Sequence, residues 1–113
     1  MLTIQSLREY GANVEEGVQR CVNQEAFYLR LVSTVPGNKG FQALYDALEQ
    51  KDLEAAFQAA HGLKGVAANL ALTPLLKPVS EITELLRNKS FVDYNPLKEE
   101  IQKQQKALQV LCE

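Results

Sequence analysis

The chain's only histidine, His61, stands in the run Ala59-Ala60-His61-Gly62-Leu63-Lys64-Gly65-Val66-Ala67-Ala68-Asn69-Leu70. Imidazole is a nucleophile that is largely neutral at neutral pH and acts without a dedicated base. The run reads as helix, although each of its two glycines costs about 1 kcal/mol relative to alanine in a helix interior. Its apolar positions, Ala56, Ala60, Leu63, Ala67 and Leu70, recur at alternating spacings of four and three and form a seam toward a helical core. At about 100° per residue, His61 lies roughly 160° from Leu63, nearly opposite that seam. Lys64 and Gly65 follow His61 by three and four residues and share its face. A cation and a stretch of bare backbone therefore flank a solvent-facing nucleophile.

The pattern Ala60-His61-x-Leu63-Lys64-Gly65-x-x-x-Asn69-Leu70 resembles the signature of histidine-containing phosphotransfer domains, the Hpt modules of multistep phosphorelays. The match is dense over about a dozen residues, and a weaker likeness in helix pattern extends from about Tyr10 onward. The chain departs from the family in two places. Ala71 stands where a glycine often follows the Asn-Leu pair, and Ile82-Thr83 stand where a Leu-Glu pair is common. Neither departure touches the histidine face. The resemblance implies that His61 accepts a phosphoryl group from a phospho-aspartate and passes it on. It implies as partner a response-regulator receiver domain, a hybrid sensor histidine kinase, or both. The Mg²⁺ used in such transfer would be held by the receiver, and the chain itself is expected to need no cofactor and no metal.

A phosphoryl group carries negative charge over its oxygens, so cations and hydrogen-bond donors near the nucleophile help to move it. Lys64 is placed to supply charge. Gln58, three residues before His61, can donate a hydrogen bond from the same side. Glu54, Phe57, Gly65 and Ala68 fall within roughly 40° of His61 around the helix, and the small residues among them make a low surface for a docking partner. Phe57 reads either as a partly exposed contact for that partner or as an edge-of-core residue packed on a neighbouring helix. Asn69 belongs to the motif and is expected to tie down a helix end.

Composition sets the bounds. A chain of 113 residues is long enough for one domain with a real core and too short for two, so residues 1–113 are read as one domain. Twelve basic and 14 acidic residues give a net charge of −2, which argues against a nucleic-acid surface. No apolar stretch approaches the roughly 18 residues of a membrane span, and the N-terminus has no signal-peptide pattern. The expected protein is cytoplasmic and monomeric. Cys21 and Cys112 are expected as thiols, and one histidine with two distant cysteines makes no zinc or haem site. No Walker-type phosphate loop is present, so the chain is not expected to phosphorylate itself from ATP.

The elements that would position the site are all helical. Gly11 stops a first short helix from about Thr3. Asn13 and Glu16 resemble a capping box for a second, and Asn23 reads as the cap of a third. Pro36-Gly37-Asn38 breaks that segment before another from about Gly40 to Gln50. Asp52 caps the histidine helix. Thr73-Pro74 and Asn95-Pro96 read as a cap followed by a first-turn proline, opening helices to about Asn88 and to the C-terminus. The expected fold is an all-α antiparallel four-helix bundle with short additional N-terminal helices. Five longer segments, near 23–35, 38–50, 53–70, 74–88 and 96–112, compete for its four places. The alternative function is a helical adaptor that binds a receiver or partner helix through the His61 face without carrying phosphate. An intact His61, Lys64 and Gly65 favour the carrier, because a pure adaptor needs no histidine.

Overall fold

A computed structural model describes all 113 residues as seven α-helices and no strands. They are α1 (Ile4–Tyr10), α2 (Val14–Arg20), α3 (Glu25–Ser33), α4 (Lys39–Glu49), α5 (Leu53–Asn69), α6 (Thr73–Arg87) and α7 (Asn95–Cys112).

Several boundaries follow the punctuation in the sequence. Thr3 caps α1, its hydroxyl accepting from the Ser6 N–H at 2.9 Å while Ser6 Oγ accepts from the Thr3 N–H at 3.0 Å. Gly11 ends α1 in the left-handed region with φ 111°. Asp52 caps α5 by accepting from the Ala55 N–H at 3.1 Å. Asn13 caps α2 by accepting from the Glu16 N–H at 3.3 Å, but the reciprocal half of the box differs. The Asn13 N–H instead donates to the Ala71 carbonyl at 2.9 Å, anchoring the α1–α2 joint to the α5–α6 turn.

Three expected caps are corrected. Asn23 sits in the left-handed region with φ 60°, and Gln24 takes the cap position of α3 without a side-chain bond. Thr73 and Asn95 are already helical, and Leu72 and Tyr94 occupy the caps of α6 and α7, again without side-chain bonds. Pro74 and Pro96 still fall in the first turn, where the missing N–H had no intrahelical acceptor in any case. α6 runs unbroken through Pro78, which is buried.

The core joins α4 to α7. α5 packs against both α4 and α6, and α6 packs against α7. Phe41, Leu44 and Ala47 of α4 meet Ala56, Ala60, Leu63 and Ala67 of α5. Leu75, Val79, Ile82 and Leu86 continue the core along α6, with Ile101 and Leu108 from α7. A Cβ at Gly40 would sit 3.1 Å from a Leu63 methyl, so bare backbone lets α4 approach α5 closely. Tyr45 of α4 donates to Gln105 Oε1 of α7 at 2.9 Å, and Gln105 Nε2 donates to the Pro36 carbonyl at 2.9 Å. α7 is thereby tied back to α4.

The segment near 23–35 is not a fifth long bundle member. α3 has nine residues and contributes Tyr28, which is fully buried and donates to the Leu70 carbonyl at 2.9 Å. Together with the bond from Asn13 to Ala71, this places α1–α3 over the α5–α6 turn. The bundle is closed at that end, while the middle of α5, where His61 stands, is left uncovered.

Candidate functional site

The seam predicted on α5 is the buried one. Ala56, Ala60 and Ala67 are fully buried and Leu63 nearly so, which turns His61 outward into solvent. Small residues line this seam, which lets α5 pack closely on its neighbours.

One turn before His61, the half-buried Phe57 ring stacks on the imidazole, with centroids 5.7 Å apart and planes 17° from parallel. The Arg87 guanidinium of α6 lies 5.0 Å from the centroid of the same phenyl ring, a cation–π contact. Phe57 therefore takes the edge-of-core role of the two left open by its spacing. It packs against α6 and also supports the histidine.

Lys64 is half-buried, and its Nζ is 3.9 Å from Glu84 Oε1 on α6. The same Glu84 oxygen accepts from Arg87 Nε at 3.4 Å. A chain of alternating charge, Lys64–Glu84–Arg87, thus runs along the α5–α6 groove beside the histidine, with Arg87 turning back onto Phe57. The motif gives no sign of Glu84 or Arg87, because they belong to another helix and only the α5–α6 register brings them to Lys64 and Phe57.

Gln58 is exposed, and its Nε2 donates to Glu54 Oε1 at 3.4 Å. In this conformation the pair bonds along the helix surface, one turn apart. Gly65 is exposed, and a Cβ placed on it would meet nothing within 4 Å. It does not serve close packing between helices, as Gly40 does. Gly62 is equally open, so backbone is bare on both sides of Leu63. Ala68 is half-buried at the edge of the same surface, and Asn69 is exposed at the last residue of α5.

A concavity of about 760 Å³ lies at the end of the bundle between the α4–α5 turn and the α6–α7 loop, and Leu48, Leu53, Phe91, Tyr94 and Lys98 are among its lining residues. His61 is not part of it. The His61 surface is exposed and open, which suits contact with another macromolecule better than capture of a small substrate. Cys21 is buried and Cys112 half-buried, and both are free thiols. No helix is long and apolar enough to cross a membrane.

The family model of the Hpt domain matches residues 38–110. The chain belongs to the Hpt domain family. The Hpt match opens at the residue that caps α4 and ends within the last turn of α7, so it contains the packed helices and His61, Lys64, Glu84 and Arg87. α1–α3 lie outside it. Hpt membership carries histidine-containing phosphotransfer in a phosphorelay and interaction with receiver domains or kinases of two-component signalling. No curated protein and no solved structure gives a significant match.

Proposed function

We propose that His61 is the phosphoryl acceptor of a phosphocarrier. The observation that carries this reading is the exposure of the chain's one imidazole on α5, stacked on Phe57 with Lys64 one turn on. A ring nitrogen attacks the phosphorus of a receiver's phospho-aspartate. The new P–N bond forms as the P–O bond to the carboxyl breaks, aspartate leaves as carboxylate, and the displaced ring proton goes to solvent. The reverse step loads the next receiver. Lys64 offsets the charge of the phosphoryl oxygens, and the bare backbone at Gly65 lets the receiver approach. The receiver supplies the Mg²⁺. Glu54, Phe57, Gln58 and Ala68 form the docking surface around the histidine. The working compartment is the cytoplasm and the working state a monomer.

The test is incubation with a phosphorylated receiver domain, followed by assay for acid-labile, base-stable phosphate on this chain. Labelling is expected in the wild type and is lost in His61→Gln. The thermal midpoint of that variant should stay within a few degrees of wild type, because an exposed side chain contributes little to packing. Labelling that persists in the variant refutes the assignment. Receiver binding without any labelling would make the chain an adaptor instead.

A further inference from the structure

Glu84 holds two cations with one oxygen, and the two contacts are unequal. The contact to Arg87 is 3.4 Å, within α6 and three residues apart. The contact to Lys64 is 3.9 Å and spans two helices. Both carboxylate and amine are substantially solvated, with side-chain exposures of 56% for Glu84 and 36% for Lys64. An exposed pair at this distance is weak and easily exchanged. Lys64 is also the one cation on the His61 face of α5. We propose that Glu84 is a positioning residue: it parks Lys64 on the α5–α6 groove while His61 is unmodified and yields it to the phosphoryl group once that group arrives. This rests on His61 being the acceptor.

The physical reason is a competition between anions. A phosphoryl group on His61 bears up to two negative charges against one on Glu84, and it sits on the same face as Lys64, one turn away. Lys64 is therefore drawn toward the phosphoryl group. Arg87 keeps its contact with Glu84, so the departure of Lys64 leaves no unpaired carboxylate. In the unmodified protein, Glu84 lowers the positive potential that an incoming anionic donor meets by holding Lys64 on the groove. Glu84 thus sets how readily the site is loaded, without touching the reacting atoms.

Phosphoramidate, a small anionic donor, tests this without a partner protein. The imidazole nitrogen bonds to phosphorus, the donor's P–N bond breaks, and the ring proton leaves with the amine as ammonium. Labelling rates are compared for wild type, Glu84→Gln, Lys64→Ala and the double variant, across a range of salt. Glu84→Gln should label about threefold faster at low salt, the size expected for one partly solvated charge. Its advantage should shrink as salt rises. The gain should vanish in the Lys64→Ala background, which a purely structural role for Glu84 would not produce. Glu81→Gln makes the same charge change on the side of α6 that faces Leu97 and Glu100 of α7, and should label at the wild-type rate. If the wild type labels on His61 but Glu84→Gln is no faster, or its gain persists without Lys64, the proposal for Glu84 is overturned and the acceptor assignment stands. If the wild type is not labelled on His61, both fall.

Discussion

The Phe57 and His61 rings lie one turn apart on α5 and stack with their centroids 5.7 Å apart, while Arg87 reaches across from α6 to the same phenyl ring at 5.0 Å. The imidazole is thus buttressed through an aromatic side chain that a second helix holds in place. A free imidazole on a helix surface samples several rotamers. Here one of them is favoured by the stack.

Replacing Phe57 with leucine keeps apolar bulk but removes both ring contacts. Aromatic pairs are worth about 0.5–1.5 kcal/mol beyond their buried area. Phe57→Leu should therefore slow phosphoramidate labelling of His61 by about threefold, with a loss of stability under about 1.5 kcal/mol. A labelling time course and a melting curve on the same sample check this. An unchanged rate would mean that the stack does not orient the ring.

Gly65 should accept alanine at no steric cost, since a Cβ there meets nothing within 4 Å. Gly65→Ala should stabilise the isolated chain by up to about 1 kcal/mol, because glycine is the poorer helix former. Gly65→Leu should leave the helix intact but slow transfer from a receiver strongly, while labelling by phosphoramidate changes little. Receiver transfer at the wild-type rate in Gly65→Leu would place the docking surface elsewhere.

Ala71 holds φ 54° in the turn between α5 and α6, a left-handed conformation that costs an L-residue about 1–2 kcal/mol. Glycine is often found at this place in the family, and the backbone angle gives the reason. Ala71→Gly should raise stability by about 0.5 kcal/mol, the relief of strain less the greater entropy glycine loses on folding. Chemical denaturation of the two proteins measures it. A net loss would mean that the alanine methyl is worth more to the turn than its strain costs.

Tyr28 gives the fold an alkaline limit. Burial, with smaller contributions from Cys21 and Glu15, pushes its hydroxyl up to about 12 from the ordinary 10. The native state thus keeps this proton where the unfolded chain has released it. The stability contributed is fully present below pH 10 and is lost as pH rises through about 12. Tyr45, raised to about 12 by burial, adds to the same trend. The thermal midpoint should fall across that window, and less steeply in Tyr28→Phe, which has no hydroxyl to ionise. Equal slopes in the two proteins would remove Tyr28 as a cause.

Much of the site was legible because it lies on one helix. The spacing of Ala56, Ala60, Leu63 and Ala67 fixed which side of α5 is buried, and helical geometry then turned His61 and Gly65 outward together. Local capping chemistry placed the starts of α2 and α5 at Asn13 and Asp52 for the same reason, since each cap bonds an N–H three residues away. The cap at Thr73 failed because α6 begins one residue earlier, with buried Leu72 in the cap position; the Thr-Pro pair shows only that a first turn is near.

The sequence by itself determined the helices, the buried seam of α5 and the outward histidine, because all three follow from interactions within one or two turns. Only the tertiary structure decided what surrounds that histidine. Which residues of α6 meet Lys64 and Phe57 depends on how two helices slide and rotate against each other, and small buried side chains of α5 such as Ala56 and Ala60 let the backbones approach. Glu84 and Arg87 are ordinary charges on the amphipathic pattern of α6. They became part of the site because core packing placed them opposite Lys64 and Phe57, over a sequence separation that no local rule spans.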